Sequence, residues 1–289
     1  MPSPRKFIAI VYTAYGDDSA DETKQRVFAV AALFGSEEDW KDIYGKWEKH
    51  TGGKIFHAAD CDSNQGDFKD NTNAENKALY GDLSKLLGES KLIGAGAAIS
   101  IPDYVELLSE RVADTPYYLC FYSVIGALAQ DSAVCIPQDS VKFIFDSNHE
   151  IDYNAGALYQ HFMRNNEGPE NEYKKYMEDE LGFATRKRVG IQVADLLARE
   201  TMKHMDNHFG PVQRPSRLAY QALRKNKGIR IRLYGRAWCE NLIRFSLETG
   251  GTHTMSEYYE WLNARGLSGD TVARRVRFQT ERQGLIDEN

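Results

Sequence analysis

Four aspartates stand where an apolar stretch of this sequence ends or crowds around them. Asp17 and Asp18 follow the β-branched and aromatic run 7–15, Asp146 stops the run Val141-Lys-Phe-Ile-Phe145, and Asp195 lies inside Ile191-Gln-Val-Ala-Asp-Leu-Leu-Ala198. A carboxylate bordering a core is costly unless it is paired, hydrogen-bonded or bound to a cation. Several together also repel, and a hard divalent cation that prefers oxygen ligands, Mg2+ or Mn2+, relieves both costs. Two such ions about 4 Å apart can activate water and stabilise the leaving oxygen in phosphodiester cleavage. That chemistry requires aspartates from distant elements to meet at one edge of a sheet. Each aspartate also fits a purely structural role. Asp17 and Asp18 suit a turn, Asp146 suits a cap, and Asp195 suits a polar stripe with Arg188, Gln192 and Arg199, pairing with Arg199 four residues on.

Nearby groups extend the constellation. In His57-Ala-Ala-Asp60, read as the end of a short strand over 54–60, three-residue spacing sets the histidine and the acid on opposite faces. His149 and Glu150, with Asp152, follow Asp146 closely enough to add a ligand or a proton shuttle. His57, Asp60, His149, Glu150 and Gln192 are thus expected around a metal or substrate, and each equally fits a structural or exposed position. Glu200 lies one helical turn beyond Asp195, at an angle that makes shared coordination doubtful.

Charge is unevenly spread. The net charge is −6, yet residues up to Thr185 hold 17 basic and 31 acidic side chains, whereas those from Arg186 onward hold 19 and 11. Arg224, Lys225, Lys227, Arg230, Arg232 and Arg236 occur with no intervening acid, and Arg274, Arg275 and Arg277 follow. Such clusters can neutralise the phosphates of DNA or RNA. A solvated face balancing the acidic N-terminal part reads the same on charge alone.

The elements that would position these residues alternate between strands and helices, an α/β pattern. Runs 7–15 and 26–34 form an antiparallel hairpin. Ser36-Glu-Glu-Asp39 caps a helix carrying Trp40, Ile43, Tyr44 and Trp47, which ends near Gly52 and Gly53. A helix over 74–87 precedes a strand over 91–101, and a helical stretch 103–130 is interrupted at Pro116. A strand over 140–145 leads to a helix over 153–164, a short strand near 181–185 and a helix over 190–204. Helices around 217–223, 234–247 and 256–263 complete the reading. The division is one domain over 1–205, with an insertion near 36–90, and a basic, mainly helical extension over 206–289 packed on it.

Several classes are excluded. The longest apolar runs fall short of the roughly 20 residues that cross a bilayer, and the N-terminus lacks a secretory pattern, so a cytoplasmic location without membrane association is expected. The four cysteines, Cys61, Cys120, Cys135 and Cys239, lack zinc-finger spacing and read as ordinary reduced thiols. Leu92-Ile-Gly-Ala-Gly-Ala-Ala-Ile99 lacks the third glycine of a dinucleotide loop and reads as a packed strand.

Three segments together resemble the family called domain of unknown function 3800. Tyr15-Gly-Asp-Asp-Ser-Ala20 is similar to its opening Y-x-D-E-S-G, with Asp18 for glutamate and Ala20 for glycine. Ile191-Gln-Val-Ala-Asp-Leu-Leu-Ala198 is close to its L-Q-L-A-D-L-I-A signature, and Phe143-Ile-Phe-Asp146 matches its strand-then-aspartate segment. Phe56-His-Ala-Ala-Asp60 with Gly66 and Phe68 is a further likeness. The resemblance covers residues 7–197 and implies an RNase H-like fold in which Asp17, Asp146 and Asp195 are catalytic and hold Mg2+ or Mn2+, with Asp18 a fourth metal ligand. A metal-dependent nuclease acting on DNA or RNA is the leading expectation, the six basic residues from Arg224 to Arg236 gripping the phosphate backbone. A non-catalytic module binding nucleic acid or protein, and a hydrolase of small phosphorylated molecules, are the alternatives.

Overall fold

In the computed structural model, residues 12–110, 115–136, 139–147, 152–164, 171–250 and 255–267 are described. The expected antiparallel hairpin forms between β1 (Tyr12–Ala20) and β2 (Val27–Gly35), but β1 runs past the expected end at Tyr15, so Asp17 and Asp18 sit inside the strand opposite Ala31 and Val30 rather than in the loop after it. β3 (Ile93–Ser100) lies antiparallel on the far side of β2, and all eight of its residues are buried. β4 (Val141–Asp146) runs parallel to β1, and β5 (Gly182–Ala184) runs parallel to β4 at that edge. β6 (Ile229–Tyr234) runs parallel to β3 and closes the other edge, so the strand order is β5-β4-β1-β2-β3-β6.

Helices cover both faces, which is why β2 and β3 are apolar throughout rather than alternating. Between β2 and β3 come α1 (Glu37–Thr51), α2 (Ala58–Ser63) and α3 (Asn73–Gly88). α1 and α3 each start on a capping box, Ser36 with Asp39 and Thr72 with Glu75. α4 (Ile101–Leu107) and α5 (Pro116–Cys135) follow β3, α6 (Asp152–Arg164) and α7 (Asn171–Lys174) follow β4, and α8 (Val189–Phe209) follows β5. α9 (Leu218–Leu223) precedes β6, with α10 (Arg236–Thr249) and α11 (Met255–Ala264) after it. One core packs Ala14, Val30, Phe143 and Phe145 against α5. The other packs Tyr15, Ala31, Leu33 and Ile144 against α8, with α1 and α3 outside it.

The molecule is therefore α/β, a six-stranded mixed sheet flanked by helices. Four further expectations change. Residues 54–57 form an extended link rather than a strand, and the chain enters α2 at Ala58. Pro116 begins a helix instead of interrupting one, because its missing amide and fixed φ suit the first turn after the Thr115 cap. The basic extension supplies β6 to the sheet. Finally, α5 at 20 residues is long and apolar enough to cross a membrane, yet its Cys120, Phe121, Val124, Ile125 and Leu128 are buried in the core against the sheet.

Candidate functional site

The parallel ladder between β1 and β4 ends with Gly16 opposite Phe145. Asp17 and Asp146 are the next residues of the two strands, and alternation gives them the face of Tyr15 and Ile144, the face that α8 covers. Two glycines make this approach close. A Cβ on Gly16 would lie 2.4 Å from the Phe145 ring, and one on Gly190 would lie 2.2 Å from the ring of Tyr15. Gly190 thus lets the first turn of α8 sit directly on β1. One turn further along α8 lies Asp195, buried at 3% exposure, as is Asp17.

Hydrogen bonds fix α8 in rotation. Gln192 accepts from Trp47 Nε1 (3.0 Å) and from the Phe56 amide (3.1 Å), and donates to the Arg186 carbonyl (2.8 Å). Asp195 Oδ2 accepts the Ala58 amide at 2.7 Å, where α2 begins. Gln192 is therefore a pin joining α1, the 54–57 link and α8, a role its place on the polar stripe anticipated only as proximity.

The carboxylates act on one another. Burial raises the pKa of Asp17 well above the usual range, and the charges of Asp195, Asp18 and Asp146 add to it, while Arg186 opposes them. Asp18 is pushed up to about 6 by burial and then by Asp146, again against Arg186. Asp195 is raised by burial, which His57, the Ala58 amide and Arg186 partly offset. Asp17 Oδ1 accepts the Asp18 amide at 2.8 Å, and its Oδ2 is buried without a hydrogen-bond partner. Arg186 Nε stands 3.6 Å from Asp146 Oδ2. Sequence reading passed over Arg186; its one signal was the triplet Arg186-Lys-Arg188 just before α8.

Among the described residues no three His, Cys, Asp or Glu side chains are gathered closely enough to hold a metal ion as they stand. The donor chemistry nevertheless fits a hard divalent cation: oxygen ligands only, mutual repulsion, and one orphaned buried carboxylate oxygen on Asp17.

The remaining expected residues sort differently. Strand alternation turns Asp18 to the opposite face from Asp17, although its charge is still felt there. His57 and Asp60, expected on opposite faces, meet instead, because the turn into α2 brings His57 Nδ1 to 2.9 Å from Asp60 Oδ2. His149 and Glu150 lie outside the described residues, as do Arg274, Arg275 and Arg277. Arg199 does not pair with Asp195; the acid facing it is Asp62, at 3.5 Å. Glu200 is wholly buried and binds the Tyr80 hydroxyl (2.8 Å) and Arg217 (3.2 Å).

The basic stretch does not form one stripe. Arg230 and Arg232 project from β6 toward α5, the sheet face opposite Asp17. There Arg230 pairs with Asp131 and donates to the Ala127 carbonyl, and Arg232 donates to Ser123. Arg236 is held by Glu106, Glu240 and Asp103. Arg224, Lys225 and Lys227 lie in the turn between α9 and β6. The strand alternation of Ile229-Arg-Ile-Arg-Leu-Tyr234 divides what looked continuous in sequence.

No protein-family model, curated protein or solved structure matches the chain.

Proposed function

We propose that this chain is a divalent-metal-dependent nuclease on an RNase H-like sheet, with Asp17, Asp146 and Asp195 holding Mg2+ or Mn2+. The observation that carries the reading is the approach of three remote aspartates, two of them buried, in which the charges of Asp146 and Asp195 add to burial in raising the pKa of Asp17 and one Asp17 oxygen is left unpartnered. The element order supports the fold assignment: a hairpin, a third antiparallel strand, a helix, a strand ending in aspartate beside the first strand, then a helix bearing the last aspartate.

The chain's own groups have definite parts in this reading. Asp195 is oriented by the Ala58 amide, and the helix that carries it is pinned through Gln192. Arg186 supplies positive charge that keeps the neighbouring carboxylates ionisable and ready for a cation. When bound, such a cation polarises the phosphodiester and lowers the pKa of water. The fourth acid, Asp18, adds negative charge without sharing the face of Asp17.

The test uses purified protein with Mn2+ on generic single- and double-stranded DNA and RNA, beside Asp195→Asn, whose amide oxygen can still accept from Ala58. The wild type should cleave at least one substrate, and the variant should be slower by at least about 100-fold, the upper end of losses on altering outer-shell partners of metal sites. Equal rates for the two proteins, or no cleavage by the wild type, would end the proposal.

A further inference from the structure

Beyond Asp195 the same stripe of α8 continues through Arg199 and Lys203, each four residues on and so about 6 Å further along the axis. α2 runs beside it, with Ala58 at Asp195 and Asp62 at Arg199. Asp62 also takes both guanidinium nitrogens of Arg217, at 3.0 and 2.8 Å, and Arg217 reaches Glu200 at 3.2 Å. Arg199 is 7% exposed, and its Nε has no hydrogen-bond partner. Lys203 is half-buried. Asp206, the other acid facing Lys203, is taken up by Arg26 at 3.1 and 3.3 Å. Of Arg26, Arg199, Lys203 and Arg217, only Lys203 makes no ion pair among the described residues.

An ammonium withdrawn from water beside two guanidiniums is unfavourable unless an anion completes the group. Burial, then the charge of Arg199, lowers the pKa of Lys203, with Arg217 adding to this and Asp62 and Asp206 opposing it. Glu200 lies beneath, its charge committed to Tyr80 and Arg217.

We propose that Arg199, Lys203 and Arg217 form a binding site for a phosphate group, one that holds substrate beside the aspartate centre. As a substrate site it rests on the nuclease reading; as an anion site it stands on its own geometry. Guanidinium forks and an ammonium match the oxygens of a phosphate. Eight residues of helix put Lys203 about 12 Å beyond Asp195. A strand cut at the aspartates would run a flanking phosphate past Lys203 at that distance. The same oxyanion could belong to a small phosphorylated molecule, and the experiment separates the two sources.

Binding is measured in EDTA at low salt, by anisotropy of a fluorescein-labelled single-stranded oligonucleotide and by calorimetry with inorganic phosphate. Wild type should bind at least one probe. Lys203→Met, which keeps the apolar stem, should weaken that binding about 10-fold, and Lys203→Arg should restore it. For the oligonucleotide, Lys203→Met should also reduce the slope of log K against log salt by about 0.7, the loss of one phosphate contact on a single strand. A simple loss of packing would leave that slope unchanged. Oligonucleotide binding assigns the site to a nucleic-acid backbone, and binding of inorganic phosphate alone assigns it to a small phosphorylated substrate. Unchanged affinity in Lys203→Met, or a wild type that binds neither probe, overturns the site. Mn2+-dependent cleavage is followed in parallel: its absence with Lys203-dependent binding intact sinks the nuclease reading alone, and cleavage without Lys203 dependence sinks the anion site alone.

Discussion

Asp17 and Asp21 are four residues apart at the same end of the hairpin and almost equally buried, at 3% and 4% exposure, yet their carboxyl groups are treated in opposite ways. Asp21 Oδ1 accepts the amides of Gln25 (3.1 Å), Arg26 (2.8 Å) and Val27 (3.0 Å), and Oδ2 accepts the amide and hydroxyl of Thr23. Burial works to raise its pKa, but the Thr23 hydroxyl and these amides outweigh burial and hold it at about 2. Asp17 receives one amide, feels the charges of three other aspartates, and is pushed up. Burial alone therefore does not mark a functional carboxylate. What separates the two is whether the fold has already satisfied the charge: Asp21 is a closed turn, and Asp17 is left for a partner the chain does not supply.

The sharpest way to break this comparison is to remove each carboxylate in turn. Asp21→Ala removes the shared acceptor of four amides, that of Val27 buried and those of Thr23, Gln25 and Arg26 part-buried; a buried amide left unpaired costs roughly 1–3 kcal/mol, so urea denaturation should show a loss of about 3 kcal/mol. Asp17→Asn removes a repelled charge, so metal-free stability at pH 7 should stay within about 1 kcal/mol of wild type or rise. Comparable losses in both variants would erase the distinction. A smaller effect is expected at Gly190, where a methyl group meets the Tyr15 ring. Gly190→Ala should cost about 1–3 kcal/mol by overpacking and weaken Mn2+ binding by lifting Asp195 away. Unchanged Mn2+ affinity would show that α8 does not need this close contact to place its aspartate.

The pH dependence in EDTA should be smaller still and of two signs. Asp18, raised to about 6 by burial and Asp146, binds its proton more readily folded than unfolded. Its contribution is full below about pH 4 and is lost as the pH rises toward 6; the raised Asp17 and Asp195 act in the same sense. Asp21 contributes fully above about pH 4 and loses that contribution as the pH falls toward 2. The melting temperature should peak near pH 4, and Mn2+ should abolish the fall above it. A melting temperature that climbs steadily from pH 4 to 6 without metal would contradict the assigned shifts.

Much of this was legible in the residues. The hairpin, the Ser36 cap and the strand ending at Asp146 carry local signals that tertiary packing leaves intact. Asp17, Asp146 and Asp195 stood out because each acid interrupts apolar neighbours, the same disturbance that burial later makes costly. Arg186 was missed because nothing local separates a guanidinium that faces carboxylates from one in water. Of the six basic residues, three have partners that charge counted along the chain does not show, Arg230 with Asp131, Arg232 with Ser123 and Arg236 with Glu106, while Arg224, Lys225 and Lys227 lie in a turn. Likewise His57 and Asp60 were placed on a strand, whereas the helix beginning at Ala58 folds them together.

The most direct test is anomalous diffraction from a crystal soaked in millimolar Mn2+ near pH 7. A peak within about 2.0–2.3 Å of carboxylate oxygens from Asp17, Asp146 and Asp195 is the predicted result. No peak at these residues, or one bound by other side chains while these three remain apart, would contradict it.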